Sequence, residues 1–155
     1  MVVVLFGQPH CGKSTLATKL IKQEVCTIAW NIDGDELRDL FKNKDFSKQG
    51  RLKNLNRASD IAAYMNSTGT DIILSLIYPY KEARDYLNGL VEDIKWVYLT
   101  YEGERGRESY HVKDFEVPTD GENVLHLDTT NTTPNDCTTL IERYIYDIKD
   151  KIELL

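Results

Sequence analysis

The 155-residue sequence predicts an α/β fold: a five-stranded parallel sheet in a three-layer arrangement, with helices on both faces. Three observations carry that expectation. Short β-branched and aromatic runs alternate with segments of helical period along the chain. The first run, Val2 to Phe6, is continuously apolar, as in a strand buried on both faces of a parallel sheet. The residues able to do chemistry fall directly after such runs, where open parallel sheets bind their ligands.

The elements follow in order. After the first strand, Ser14 to Glu24 carries Leu16, Ala17, Leu20 and Ile21 on a helical stripe. "CTIAWNID" reads as a second strand ending at Asp33, and "DELRDLF" after Gly34 as a short helix. Residues 48 to 66 form a long helix with Leu52, Leu55, Ala58, Ile61, Ala62 and Met65 on one face. "TDIILSLIY" is a third strand, and residues 80 to 91 a helix striped by Ala83, Tyr86, Leu87 and Leu90. "IKWVYLT" and "NVLHLD" are the fourth and fifth strands, separated by a loop without period. Residues 134 to 150 close the chain as a helix with Leu140, Ile141, Tyr144, Ile145 and Ile148.

The composition narrows the function classes. Apolar residues make up 41% and charged residues 28%, an ordinary globular balance, read as a single domain over residues 1–155. A net charge of -6 argues against a broad basic face for nucleic acid, but leaves room for a local pocket for one anion. The five-residue apolar start is too short for a signal peptide or a membrane span. Cys11, Cys26 and Cys137 have no CxxC spacing, which fits reduced thiols and a cytoplasmic location better than zinc or disulfides.

The stretch "GQPHCGKST" names the chemistry. Gly7, Gly12, Lys13 and Ser14 fill the G-x-x-x-x-G-K-[ST] pattern between a strand and a helix. Glycines let the backbone wrap an anion, with N–H groups pointing inward and the helix offering its positive end. Lys13 would reach the β- and γ-phosphates of ATP, and the Ser14 hydroxyl would hold Mg²⁺. A chance match in this length has a probability of about half a per cent. Gln8, Pro9, His10, Cys11 and Thr15 complete the ATP-binding loop, His10 and Cys11 through their backbone. The loop alone does not tell GTPase, ATPase and kinase apart; with no acidic pair after "DIILSLIY", as an ATP-driven motor would usually carry, the expected fold is a P-loop nucleotide-kinase-like one. "NKD" at Asn43 to Asp45 is no guanine-specificity motif, since Phe46 stands where that motif needs its Asp.

A small kinase also needs an acceptor site. "DGDELR" sends Asp33 and Asp35 out at the ligand end of the second strand, with Arg38 one helical turn from Asp35. A carboxylate there can orient a hydroxyl or a magnesium-bound water, and the arginine can hold an anionic group. An acidic helix start with a surface Arg is the equally weighted alternative. On the long helix, Arg51 falls near the centre of the apolar face, Asn54 within it and Arg57 at its edge. A charge on a buried face must be paired or used. This end of the helix is therefore expected to face a polar cleft holding a substrate, fraying of Arg51 at the N-terminus being the alternative.

With these residues in place, the chain resembles the adenylylsulfate (APS) kinases. The matching pieces run in order: "GQPHCGKST", "DGDELR", "FSKQGRLKNLNR", "SLIYPYKEAR", then "DFEVP" and "HLDTTNTTP". The resemblance implies transfer of the ATP γ-phosphate to the 3′-hydroxyl of adenosine 5′-phosphosulfate, with Mg²⁺. It implies Asp35 as base, Asp33 beside the magnesium site, and Arg38, Phe46, Arg51 and Asn54 as the grip on the APS nucleotide, Phe46 by stacking on adenine. Ile77 and Pro79 would lie along the same substrate. The family often pairs into homodimers.

Departures accompany the match. Pro9 and His10 stand where the family has Ser and Gly, and Tyr78 where it has Ser. The family's lid, with its Arg-Asp, "KGLYKKAR"-like and "FTGID" segments, is reduced to "YEGERGRESYHVKDFEVP", a lid region at about 101–120. Arg105 and Arg107 are the candidate catalytic cations, with Lys113 a further one. Two other functions stay open: a P-loop kinase for another small hydroxylated acceptor, and a nucleotide-binding protein without turnover.

Overall fold

The computed structural model describes residues 1–23, 30–106 and 108–146. Its strands are β1 (Val2–Phe6), β2 (Trp30–Asp33), β3 (Ile72–Ser75), β4 (Ile94–Thr100) and β5 (Val124–Asp128). Its helices are α1 (Lys13–Lys22), α2 (Gly34–Leu40), α3 (Lys48–Ser67), α4 (Lys81–Leu90) and α5 (Pro134–Ile145), with a 3₁₀ turn at Glu108–Tyr110. The five strands form one parallel sheet in the order β2-β3-β1-β4-β5.

β1 is the central strand, and its five side chains are all fully buried. The period of two along a strand explains why. Val2, Val4 and Phe6 pack with Leu55, Ala58 and Ala62 of α3 and Ala83 and Leu87 of α4. Val3 and Leu5 pack with Leu16, Ala17 and Leu20 of α1 and Cys137, Ile141 and Ile145 of α5. β3 divides the same way, Ile72 and Leu74 to one face and Ile73 to the other. The result is the expected three-layer stack. Three helix starts are capped by side chains: Asp33 accepts from Asp35 N, Ser47 from Gly50 N and Thr133 from Asp136 N, with Pro134 opening α5. Among the described residues no helix is long and apolar enough to cross a membrane.

Several expectations need correction. The third strand stops at Ser75 and does not run on to Tyr78. Tyr78 takes a left-handed φ of 42° ahead of Pro79, so the apolar run "LIY" forms a turn that packs inward. The α4 stripe is shifted: Tyr86 and Leu90 are exposed, and Arg84 is buried with Ala83 and Leu87. On α5, Leu140 is exposed while Ile141 and Ile145 are buried. The start of the second strand (Cys26 to Ala29), Glu24, Arg107 and Ile148 lie outside the described residues.

Candidate active site

The phosphate-binding loop is shaped by its backbone. Gly7 has φ +146°, and a Cβ there would run into the Leu99 carbonyl oxygen on the neighbouring strand. Gly12 has φ +101° at the start of α1. Between them His10 holds a left-handed φ of 64°. Thr129, just past β5, braces the loop by donating its hydroxyl to the carbonyls of Cys11 at 2.9 Å and Thr100 at 3.0 Å. The Lys13 ammonium donates to the carbonyls of Gly7 at 3.1 Å and Gln8 at 2.7 Å. It is thereby held across the loop, where a polyphosphate would compete for it.

Asp33 ties the loop to the second strand. Its Oδ2 accepts from Ser14 Oγ at 2.7 Å and from Ser75 Oγ at 3.3 Å. Its Oδ1 accepts from the N–H groups of Asp35 at 2.9 Å and Glu36 at 3.4 Å. One carboxylate thus caps α2 and places a hard oxygen beside the Ser14 hydroxyl. Mg²⁺ takes one or two protein oxygens and completes its shell with phosphate and water. The Ser14–Asp33 pair fits that requirement. Among the described residues no cluster of three or more His, Cys, Asp or Glu offers an all-protein metal cage.

Two arginines face the same space. Arg38 donates from Nη1 to the carbonyl of Asp45 at 2.9 Å and to Asn43, and its guanidinium lies 4.3 Å from the Phe46 ring centroid. Arg51 donates from Nε to the Phe46 carbonyl at 2.9 Å, with its guanidinium 5.7 Å from the same ring. Burial, and then the Arg51 charge, lower the Arg38 pKa, while Asp35 and Asp45 oppose them. Among the described residues neither arginine enters an ion pair. Phe46 is 60% exposed. Asn54, 4% exposed, donates to the Gly34 carbonyl at 3.3 Å, and its Oδ1 is buried with no donor among the described residues. A buried acceptor of that kind is costly to leave unmet.

These groups share one cavity of about 640 Å³. Pro9, His10, Gly12, Lys13, Ser14 and Thr15 line it from the loop, and Asp33 and Asp35 from the end of β2 and the start of α2. Arg38, Phe46, Arg51, Asn54, Ile77 and Pro79 form its other wall, and Arg105 reaches it from the region after β4. Arg105 donates to the His10 carbonyl at 2.6 Å and lies 3.5 Å over the Tyr101 ring. Gly7 and Cys11 are buried behind the loop, and Gln8 turns away to Val112, so these three do not line the cavity. Lys113 is exposed and also outside the lining. Tyr110, Ser75 and Leu76 line the cavity without having been picked out from the sequence. For Ser75 and Leu76 the signal was available, since both lie at the carboxyl end of a strand.

Residues 1–108 match the family model for adenylylsulphate kinase. The chain belongs to that family. It is 34% identical over 96 residues to a probable adenylyl-sulfate kinase of Aeropyrum pernix, covering 60% of this chain and 52% of that protein. It is 32% identical over 99 residues to an adenylyl-sulfate kinase of Staphylococcus epidermidis, covering 62% and 50%. The chain thus spans about half the length of the curated relatives it matches. The fold matches an APS kinase of Mycobacterium tuberculosis, solved with AMPPNP and APS, at TM-score 0.78 and 19% identity, over 94% of this chain and 96% of that one. A sugar kinase from Janibacter superposes at TM-score 0.74 and 16% identity, over 96% and 95%. For this family member, the structural likeness extends through residues past 108, where the family model stops and "DFEVP" and "HLDTTNTTP" lie.

Proposed function

We propose that the chain is an adenylylsulfate kinase, a phosphotransferase that moves the γ-phosphoryl group of ATP to the 3′-hydroxyl of adenosine 5′-phosphosulfate, giving PAPS for sulfate assimilation. One observation carries the reading. A single cavity holds the phosphate-binding loop on one wall and Asp35, Arg38, Phe46, Arg51 and Asn54 on the other, all within family-matched residues.

The chemistry is positioning and charge stabilisation. The loop N–H groups and the start of α1 hold the ATP phosphates, and Lys13 exchanges its carbonyl partners for phosphate oxygens. Asp35, exposed on the first turn of α2, orients the acceptor hydroxyl and takes its proton as the phosphoryl group arrives. Arg38 and Arg51 receive the anionic end of the acceptor, Phe46 stacks on its base, and Asn54 Oδ1 accepts a hydrogen bond from it. Ile77 and Pro79 bound it from the turn after β3. Arg105 offsets charge developing between the two substrates. Ser14, with Asp33 beside it, would hold Mg²⁺, which would supply charge neutralisation on the phosphates.

The same reading covers the surroundings. The whole of residues 1–155 acts as one kinase domain with a small lid region at about 101–120, cytoplasmic as an ATP-using enzyme. It takes small nucleotides as partners and assembles as a homodimer. A Thiobacillus denitrificans APS kinase is hexameric, an assembly stated for that protein.

The test is ADP release from the purified protein with Mg·ATP, with and without APS, with product analysis for the 3′-phosphorylated nucleotide. APS-dependent turnover, lost in Asp35→Ala and Arg51→Ala, is the expected result. ATP binding without APS-dependent ADP release overturns the reading. A panel of nucleosides, nucleotides and sugars then separates another kinase from a silent binder.

A further inference from the structure

A ladder of polar side chains crosses two strands beside the phosphate-binding loop. Asp33 of β2 and Ser75 of β3 are register partners in their parallel pair, and Asn31 stands two residues before Asp33, opposite Ile73. The period of two puts all three side chains on the sheet face that carries Ile73 and packs against α1. Ser14, on the first turn of α1, completes the ladder by its hydrogen bond to Asp33.

Ser75 ends a strand that is otherwise Ile72, Ile73 and Leu74, and it is 3% exposed. A hydroxyl buried there must find a partner. It has one proton to give and two acceptors in reach: Asn31 Oδ1 at 2.9 Å and Asp33 Oδ2 at 3.3 Å. The N–H groups of Asp35 and Glu36 hold Asp33 Oδ1 toward α2. Oδ2 is therefore the oxygen turned to the phosphate-binding loop, and among the described residues Ser14 and Ser75 are its donors. Ser75 also lines the main cavity, on the same side as Ser14.

We infer that Ser75 is a positioning residue for the metal of Mg·ATP: its hydroxyl, shared with Asn31, fixes the Asp33 carboxylate with Oδ2 turned to Ser14. This rests on the assignment of Mg²⁺ to the Ser14–Asp33 pair and not on the identity of the acceptor. Without the Ser75 donor, Oδ1 stays bound as the cap of α2, while Oδ2 is held by Ser14 alone. Asn31 acts in the opposite sense. It is the nearer acceptor and draws the Ser75 proton away from Asp33.

Titration calorimetry with ATP, first in EDTA and then with Mg²⁺, measures how much affinity the metal adds. Loss of a group that orients a metal ligand costs about tenfold or more in metal affinity. Ser75→Ala should therefore cut the magnesium-dependent gain about tenfold, with metal-free ATP affinity within about twofold of the parent. Ser75→Thr, which keeps the hydroxyl, should restore the gain. Asn31→Ala leaves Asp33 Oδ2 as the acceptor in reach of Ser75, and its gain should equal or exceed that of the parent. In metal-free protein carrying ¹³C-labelled aspartate, the Asp33 carboxyl resonance, assigned by its loss in Asp33→Asn, should move in Ser75→Ala. An unmoved resonance, an untouched gain in Ser75→Ala, an equal loss with and without metal, or a reduced gain in Asn31→Ala overturns the inference. If ADP release never depends on APS, the acceptor reading falls, and the same titrations still judge Ser75. If Asp33→Asn leaves the gain intact, the metal does not lie beside Asp33, and the inference falls with that assignment.

Discussion

Arg84 and the half-buried Glu122 form an ion pair, with Nε to Oε2 at 2.9 Å and Nη2 to Oε1 at 3.2 Å. Arg84 is 1% exposed and also donates to the Tyr78 carbonyl at 3.0 Å. The pair joins α4, the left-handed turn after β3 and the chain leading into β5. It holds the backbone on which Ile77 and Pro79 enter the cavity.

Arg84→Ala should be among the most damaging single changes. It leaves the Glu122 carboxylate with only the Thr119 N–H and takes the Arg84 donor from the Tyr78 carbonyl, a loss of about 3 kcal/mol. Burial works against the charged form of Glu122, but hydrogen bonds from Arg84 and the Thr119 N–H, with the Arg84 charge, hold its pKa below the ordinary value. A depressed carboxylate pKa stabilises the fold above the unfolded value of about 4.3. That contribution disappears as pH falls through the folded value. Urea unfolding from neutral to acid pH should show this loss in the parent protein. Glu122→Gln should be weaker at neutral pH and should have a flatter acid slope. An equal slope in both proteins would remove the pair from the acid response.

The Gln8–Val112 clasp predicts that two variants of Gln8 are both weakened. Gln8→Ala removes both hydrogen bonds and should cost about 1–2 kcal/mol. It should also weaken ATP binding several-fold, because the loop carbonyl that Lys13 uses belongs to residue 8. Gln8→Glu keeps an acceptor for the Val112 N–H but sets a charge against the Val112 carbonyl, and should be at least as weak. Thermal unfolding with and without Mg·ATP separates the two effects. ATP affinity unchanged in both variants would show the clasp to be purely structural.

What could be read from the sequence and what could not follows the range of the interactions. β1 and the phosphate-binding loop were legible because residues 2 to 15 act locally: a buried run, then glycines at the positions that need positive φ. Arg51 and Asn54 stood out because helical geometry alone puts them on an otherwise apolar face. Arg84 did not, since its partner is 38 positions away, and a wheel cannot show that a charge will be met inside. Tyr110 was hidden for a similar reason. Its segment has no period, and the Gln8–Val112 bonds that place it span 104 positions. The end of β3 was misread because Tyr78 looks like a strand residue, while its φ of 42° and its hydroxyl's contact with Ser59 Oγ at 3.0 Å make it part of a buried turn.

Asp33 should separate metal handling from helix capping. Asp33→Asn keeps an acceptor for the Asp35 N–H, so α2 should lose only a few tenths of a kcal/mol. It loses the charge beside Ser14, so half-maximal activity should need about tenfold more Mg²⁺, with kcat down by about a hundredfold. Asp33→Ala should add roughly 1 kcal/mol of lost stability from the missing cap. Activity measured against Mg²⁺ concentration, beside melting curves, checks both halves. An unchanged Mg²⁺ requirement in Asp33→Asn would take Asp33 out of the metal's surroundings.

Arg38 and Arg51 lie close enough for one charge to lower the pKa of the other, and both lean on Phe46. Asp35 and Asp45 offset the Arg51 charge on Arg38 only in part, and an anionic acceptor bound between the two arginines would offset the rest. Arg38→Ala and Arg51→Ala should each raise the acceptor KM by about ten- to a hundredfold, in line with loss of a charge-assisted hydrogen bond. ATP affinity should stay within about twofold, because neither guanidinium contacts the phosphate-binding loop. In the free protein Arg51→Ala should relieve Arg38, whereas Arg38→Ala gives up the hydrogen bonds to Asn43 and Asp45 and should melt lower. The double variant should cost less than the sum of the two in acceptor binding, since the groups act on one anion. Titration of wild type, single and double variants with acceptor, by calorimetry at two salt concentrations, reads all of this. Additive losses with no salt dependence would mean that the two arginines do not share a ligand.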